Sequence, residues 1–370
     1  MKICIVSGTD PANQQGEGKN VLYFAKHIAE PIWIIFPGTR DRSYKLGLQT
    51  VVQEVSVRNL VVDDVQREDD SGVSLRLVPS LLRKYGSFFL KSIPLLARFK
   101  PDVVHLRLPG AILLGIFSKV FFRSKVVITY HGPNIQKVVQ SWLQRGLLRA
   151  ADRVYYHSPL MRPQLLKIYP ESKLVPDGPG VDLDVFHPLG VERRKQLLAI
   201  GHLRWYKGYA YMLDAFAMVL KSHPEYTLLI AGSGPLKEQV EQRISSPGLH
   251  GKVHMLGMKP AEKVCELLNQ SQLFVMSSIA EGVPKAHLEA IACGTPSVVT
   301  SVCNCGDSAR KVGLVVEPRD SSALAMAIQK LLEDRTLWQR CAENCAVVSK
   351  QFDWKVLTSR MYQSYQNLMS

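Results

Sequence analysis

Two cations, Arg204 and Lys207, stand three residues apart in the run Gly201-His202-Leu203-Arg204-Trp205-Tyr206-Lys207-Gly208, directly after an apolar strand-like stretch. A guanidinium can bind two oxygens at once and an ammonium acts as a point charge, so this pair ahead of a helix-opening glycine suits a diphosphate. Two carboxylates, Glu281 and Glu289, bracket a second helix start, Gly282-Val283-Pro284-Lys285. Carboxylates accept hydrogen bonds from sugar or ribose hydroxyls. Pro284 suits the first helical position and Gly294 the residue past the last turn. Val283, at the cap, has no side-chain acceptor, so the first free N–H groups of that helix need another partner, for which an anion is suited.

Other positions carry weaker signals. Ala231-Gly232-Ser233-Gly234-Pro235 is a strand-to-helix turn whose glycines permit close backbone approach. Gly16 and Gly18 suit a backbone contact to phosphate, but Asn13 and Asn20 stand where a P-loop needs Gly and Ser or Thr, which argues against an NTPase. No G-x-G-x-x-G follows the first strand, which argues against a dehydrogenase. His131 closes the strand Val126–Tyr130 and places an imidazole at a strand end beside Gly132. Asp182 and Asp184 have the spacing of a metal-binding pair but lie in a linker with no third ligand. Cys303 and Cys305, or Cys341 and Cys345, lack suitably spaced histidines for a metal, and seven cysteines without a Cys-x-x-Cys fit reduced thiols.

These groups need a frame, and the chain alternates short apolar runs with amphipathic segments throughout. Strands are expected at 2–7, 32–36, 52–57, 102–106, 125–131, 153–157 and 173–176. After the Gly/Pro-bounded linker 180–188, a second series falls at 196–201, 226–231, 253–256, 272–276, 296–300 and 313–316, with helices near 208–221, 235–244, 260–269, 284–293, 321–333 and 335–349. This order implies parallel sheets covered on both faces, and 370 residues with 46% hydrophobic content suffice for two cores. The expected fold class is therefore α/β, two doubly wound domains facing across a cleft. Ligands in such sheets bind at the carboxyl ends of the strands, where Arg204, Lys207, Glu281 and His131 all fall.

The net charge of +14 concentrates in residues 71–125, which hold ten basic residues, Arg83, Lys84 and Lys91 among them, and one acid, Asp102. Interleaved Tyr85, Phe88, Phe89 and leucines make this a basic, aromatic-bearing surface suited to an anionic bilayer or an anionic acceptor. No nucleic-acid module signature accompanies it, so nucleic acid is not an expected partner. The longest apolar run, Leu108 to Phe122, is interrupted by Lys119, and the N-terminus enters directly into a strand. The expected location is cytoplasmic, or peripheral at the inner face of a membrane.

Taken together, Glu281-x7-Glu289, the Gly-x-Leu-Arg-x-x-Lys-Gly run 201–208, the linker 180–188, and Ala151–Val154 with Ser158 resemble, in order, the retaining GT-B glycosyltransferases of family 4. The resemblance implies an acceptor-binding Rossmann-like domain at 1–180, a nucleotide-sugar-binding Rossmann-like domain at 181–351, and a helix at 352–370 crossing back to the first. It implies that Arg204 and Lys207 hold the donor diphosphate, and that Glu289 holds the ribose hydroxyls. Glu281 with the backbone of Gly282, Val283, Pro284 and Lys285 would hold the sugar. Gly16, with Gly18, would close on the phosphates and His131 would contact the sugar near the reacting carbon. Gly234 would border the donor, and Gly257, Met258 and Lys259 the base. No cofactor and no metal are expected, the nucleoside-diphosphate sugar being a substrate, and the acceptor would be a glycan or lipid-linked hydroxyl in cell-surface polysaccharide or lipopolysaccharide synthesis. Two departures stand out: Val302–Asp307 replaces a glycine-rich loop, and Arg107 stands at a strand end where relatives often carry histidine. The alternatives are an epimerase-like enzyme on the same fold and a non-catalytic nucleotide-sugar-binding protein.

Overall fold

The structure is a computed structural model. It describes residues 1–7, 21, 24–25, 27–28, 30–38, 42–45, 50–56, 77–107, 111–130, 146, 148–157, 161–178, 180–281, 284–303 and 307–370. The chain divides into two compact units, one of residues 1–178 with 357–370 and one of residues 179–356. Residues 352–356 thus belong to the second unit.

The first unit is built on β1 (Ile3–Val6), β2 (Ile32–Gly38), β3 (Arg42–Lys45), β4 (Thr50–Ser56), β5 (Val103–Leu106), β6 (Lys125–Tyr130), β7 (Arg153–Tyr156) and β8 (Leu174–Pro176). They form one sheet in the order β3-β4-β2-β1-β5-β6-β7-β8. Every pairing is parallel except β3 with β4, which is antiparallel. The edge strand β3 departs from the all-parallel expectation. Its sequence, Arg-Ser-Tyr-Lys, has no apolar run to mark it, and a sheet edge does not demand one.

Strands buried on both faces are apolar nearly throughout; β1 is so at every position, and β5 and β6 are so except for His105, Lys125 and Thr129. On one face Cys4, Val6, Val104, Leu106, Val126 and Ile128 pack with Phe88, Leu96 and Phe99 of helix α1 (Leu77–Phe99) and with Leu114 of α2 (Ile112–Phe122). On the other, Ile3, Ile5, Ile32, Ile34, Val103 and Val127 pack with Met361 and Tyr365. A short helix, α3 (Arg162–Leu165), follows β7.

In the second unit β9 (Arg194–Ile200), β10 (Thr227–Ala231), β11 (Val253–Gly257), β12 (Ser271–Met276), β13 (Ser297–Thr300) and β14 (Gly313–Val316) form a sheet in the order β11-β10-β9-β12-β13-β14, with all pairings parallel. Helices α4 (Tyr209–Ser222), α5 (Lys237–Ile244) and α9 (Ser321–Glu333) cover one face, and α6 (Ala261–Gln270), α7 (Lys285–Ala292) and α10 (Arg335–Ser349) the other. A short α8 (Asp307–Lys311) precedes β14. The helices expected between these strands are all present, because each carries a one-sided apolar stripe at helical spacing.

The last helix, α11 (Trp354–Met369), is anchored to the first unit by a buried polar bridge. The His105 ring lies 2.6 Å from the Tyr365 hydroxyl at Nδ1 and 2.6 Å from Thr129 Oγ1 at Nε2. Burial, with Arg107 and His157 nearby, holds His105 well below its usual pKa, and a neutral ring can donate to one hydroxyl and accept from the other. At the other end of α11, Trp354 lies against Gly180, where a Cβ would meet the indole at 2.5 Å. Lys355 pairs with Asp184 at 2.9 Å, and Asp182 accepts from the Asp184 N–H. The Asp182/Asp184 pair is thus engaged in holding the linker against 353–355.

Candidate active site

Strand order places the site in the second unit. From β9 the sheet runs outward through β10 and β11 on one side and through β12, β13 and β14 on the other, so β9 and β12 flank the point where the winding reverses. At such a switch point the two loops leaving the carboxyl ends diverge and open a crevice. Those loops are 201–208 after β9 and 277–284 after β12, the two stretches that carry Arg204, Lys207 and Glu281.

Backbone contacts join them. The Ile279 N–H donates to the Tyr206 carbonyl at 2.6 Å, and the Ser277 hydroxyl lies 3.0 Å from the carbonyls of both Lys207 and Gly208. Gly208 makes this approach possible. Its φ is +66°, and a Cβ there would stand 2.1 Å from the Ser277 carbonyl oxygen. The turn Trp205–Lys207 is a single 3-10 turn closed by this glycine, from which α4 begins.

The result is an ion pair between side chains 74 positions apart: Lys207 Nζ on Glu281 Oε1. Ser278 Oγ donates to the same carboxylate oxygen at 2.8 Å, and the ammonium lies 5.8 Å from the centroid of the Tyr206 ring. The two side chains are only 18% and 10% exposed, so solvent screens the pair weakly. Arg204, on the same turn, is exposed. A fixed cation with an exposed guanidinium beside it can stabilise negative charge that develops on a leaving phosphate. Ser277 and Ser278 are participants that the sequence reading passed over. Their signal was available, since two hydroxyl residues follow β12 immediately at its carboxyl end.

Helix α7 begins one residue later than expected. Pro284 is its cap residue, with φ −75° and ψ 115°, rather than its first helical residue, because that ψ is extended. Among the described residues no side chain caps the helix, as expected, at the shifted position. At its other end the Thr295 N–H reaches the Ala290 carbonyl at 2.9 Å and the Gly294 N–H the Ile291 carbonyl at 3.0 Å, with Gly294 at φ +69°. This is the Schellman arrangement. Arg193 adds a second fastening, donating to the Gly294 carbonyl at 2.8 Å and to Ser271 at 2.6 Å. Glu289, half-buried in the second turn, and Lys285, half-buried in the first, ride on this helix.

Gly234 lies where the loop after β10 passes the backbone of 201–203. Leu203 N–H donates to Ser233 at 2.9 Å, and a Cβ on Gly234 would meet Leu203 N and O at 2.7 Å. Gly257 ends β11 with φ +69°, and Met258 next to it is 59% exposed. These residues lie along the same carboxyl edge of the sheet. Gly16, Gly18, His131, Gly282 and Val283 lie outside the described residues, as do Ser158 and the 304–306 part of the Val302–Asp307 loop.

In the first unit a polar cluster occupies three strand ends. Arg107, His157 and Asp177 are the first residues after β5, β7 and β8, all nearly buried. His157 Nδ1 lies 2.6 Å from the Asp177 carbonyl and 3.8 Å from its carboxylate. Burial pushes the Asp177 carboxyl up to about 6, against a smaller opposing pull from Arg107. The raised value means the folded chain keeps this proton between the unfolded pKa and about 6. Stability from this group is therefore greatest in acid and declines as pH rises through that window. Asp177→Asn should flatten this part of the profile: in urea titrations at pH 4 and pH 7, the variant gains relative to wild type at the higher pH. An unchanged difference between the two pH values would count against the buried carboxyl.

The chain is similar to known glycosyltransferases. The chain matches the family described as "Glycosyl transferases group 1" over residues 184–347 and "Glycosyltransferase Family 4" over residues 53–185. The alpha-monoglucosyldiacylglycerol synthase of Streptococcus pneumoniae is 25% identical over 295 residues, covering 70% of this chain and 66% of that protein. The chain thus spans just under two thirds of that relative's length. Among solved structures, sucrose-phosphate synthase from Thermosynechococcus elongatus superposes with a TM-score of 0.77 at 19% identity, over 100% of this chain and 99% of the other. The Anabaena protein HepE in complex with UDP-glucose gives 0.73 at 17% identity, over 99% of this chain and 100% of that one. These likenesses identify the fold as GT-B.

Proposed function

We propose that this chain, which belongs to the group 1 glycosyltransferases of family 4, moves a hexose-type sugar from a nucleoside-diphosphate sugar to a hydroxyl of a glycan or lipid-linked acceptor. The observation that carries the reading is the Lys207–Glu281 pair at the switch point of the second sheet, beside exposed Arg204 and the uncapped start of α7. Arg204 and Lys207 lie on one turn and can together meet a diphosphate. As the sugar–phosphate bond breaks, charge grows on the leaving oxygens, where these cations stabilise it. Glu281, held by Lys207 and Ser278, turns its other oxygen to sugar hydroxyls, and Glu289 takes the ribose. Retention follows if the acceptor hydroxyl enters on the face that the diphosphate leaves. With two side-chain cations on the diphosphate, transfer is expected to persist in EDTA.

The test is a thermal-shift screen against UDP, GDP and ADP with their sugar conjugates, followed by an assay for nucleoside diphosphate release. One base should raise the melting temperature, and its sugar conjugate should yield free diphosphate when acceptor is added. Intact nucleotide with a rearranged sugar would mean an epimerase, and stabilisation without release in any acceptor mixture would mean a binding protein.

Membrane attachment through the first unit is a further part of the proposal. Leu90 on α1 and Val120 and Phe121 on α2 are 66%, 69% and 67% exposed, and the two helices meet through Phe89 and Phe117, whose ring centroids are 6.3 Å apart. Lys91 and Arg123 flank them in sequence. Among the described residues no helix is long and apolar enough to cross a membrane, and this surface suits lying on an anionic one. The chain should float with vesicles containing phosphatidylglycerol and sediment with purely zwitterionic ones. Phe121→Asp should abolish flotation, and equal flotation with both lipids would refute the attachment.

A further inference from the structure

We propose that Cys303 is an activated thiol, a modification site for peroxide and small soft electrophiles, with His287 as its base. His287 is fully buried in the first turn of α7. Its Nδ1 lies 3.1 Å from Cys303 Sγ and its Nε2 lies 2.8 Å from Ser297 Oγ. The ring is stacked on Phe274, 6.1 Å between centroids and 12° between planes, so its orientation is fixed. A nucleophile, a base within hydrogen-bond reach and a third group orienting the base make up the arrangement that activates a weak nucleophile.

The other described thiols lack this. Cys4, Cys341 and Cys345 are raised by burial; Cys265 is lowered to about 6, chiefly by the Cys293 thiol 3.7 Å away, which is itself raised, and neither has an imidazole nitrogen within hydrogen-bond reach among the described residues. Cys303 is also the most accessible of the six, at 5% against 0–3% for the rest, which is why small reagents are the fitting class.

The chemistry balances with peroxide as co-reactant. The thiol proton passes from Sγ to Nδ1, giving a thiolate beside an imidazolium. The sulfur attacks one peroxide oxygen, the O–O bond breaks, and the departing hydroxide takes the imidazolium proton and leaves as water. Sulfur is oxidised by two electrons to the sulfenic acid and peroxide is reduced.

The position gives the modification a consequence. Cys303 lies three residues past β13, and Thr300 at the end of that strand donates at 2.7 Å to the carbonyl of Ser278, the residue whose hydroxyl donates to Glu281. Oxidation of Sγ alters its 3.1 Å contact with the His287 ring in the first turn of α7. Loss of nucleotide binding on modification rests on the donor-site reading above, whereas the reactivity of the thiol does not.

The experiment exposes the full-length protein to hydrogen peroxide with dimedone as the sulfenic-acid trap and quantifies each cysteine by peptide mass spectrometry. Cys303 should be captured about tenfold or more faster than Cys4 or Cys341, with a rate that levels off below the about pH 8.5 of an ordinary thiol. His287→Gln, which keeps hydrogen-bonding capacity but no basicity, should lower the rate about tenfold. The wild-type pH profile decides the matter should that variant not fold. Capture of Cys305 in place of Cys303, a Cys303 rate equal to that of Cys4, or a rate that rises as an unassisted thiol's does would each overturn the proposal. In a second arm, modified protein is titrated with UDP: unchanged affinity beside fast capture leaves the thiol assigned and removes its coupling to the donor site.

Discussion

Lys207→Ala should lower turnover by about a hundred- to a thousandfold, the cost of removing one preorganised charge from a site where negative charge develops. The same change takes the ion-pair partner from Glu281, whose side chain is 10% exposed, while Ser278 Oγ still donates to its Oε1. Removing one member of a buried pair is destabilising by about 3–5 kcal/mol when the remaining charge is fully enclosed, and this pair's partial exposure reduces that figure. Two effects are therefore folded into one variant, and Lys207→Ala/Glu281→Gln separates them. With the carboxylate neutralised, the melting temperature should recover most of its loss while turnover stays down. Lys207→Arg should also fail to restore full activity, since a planar fork cannot replace a point charge seated against one carboxylate oxygen. Steady-state rates at saturating donor, with melting curves on the same samples, measure both quantities. Near-normal turnover in the single variant would remove Lys207 from the chemistry.

The Lys207–Glu281 contact also marks how far the sequence could be read. Both residues were visible as candidates, because each follows an apolar strand-like run and precedes a helix. Their pairing was not visible. It depends on β9 and β12 being neighbours, which is a property of strand order that local periodicity does not encode. For the same reason Glu281 reads from the sequence as a group facing the ligand, when the fold gives one of its oxygens to Lys207 and Ser278. The layered α/β architecture was legible because strands buried on both faces are apolar nearly throughout. Edge strand β3 was not, since an edge makes no such demand. The polar interior of the first unit was hidden as well. His105, Asp177 and Tyr365 are ordinary in sequence and acquire their altered titration chiefly through burial. His287 sits inside a run whose helical pattern predicts an apolar residue, so its two hydrogen bonds emerge only when β13 and its following loop are placed against α7.

Gly208→Ala is expected to damage both fold and activity more than any other single methyl addition in the 201–208 loop. The residue has φ +66°, and a left-handed conformation costs a non-glycine residue about 1–2 kcal/mol. The new Cβ would also stand 2.1 Å from the Ser277 carbonyl oxygen, a backbone atom that cannot rotate away. Relief requires the two loops to part, which lengthens the contacts of Ser277 Oγ with the Lys207 and Gly208 carbonyls and of Ile279 N–H with Tyr206. Those contacts hold Lys207 against Glu281, so the displacement reaches the ion pair directly. Combined strain and clash should cost about 3 kcal/mol or more, within the range of severe single substitutions. Gly251→Ala supplies the control. That glycine has φ +72° with nothing within 4 Å of an added Cβ, so it carries the conformational cost alone. In urea titrations Gly251→Ala should lose about 1–2 kcal/mol and keep full turnover. Gly208→Ala should lose at least about twice as much, with turnover falling toward that of Lys207→Ala. Equal stability losses in the two variants, with activity retained in both, would mean that the loops after β9 and β12 do not approach as closely as 2.1 Å requires, and the joined site would have to be given up.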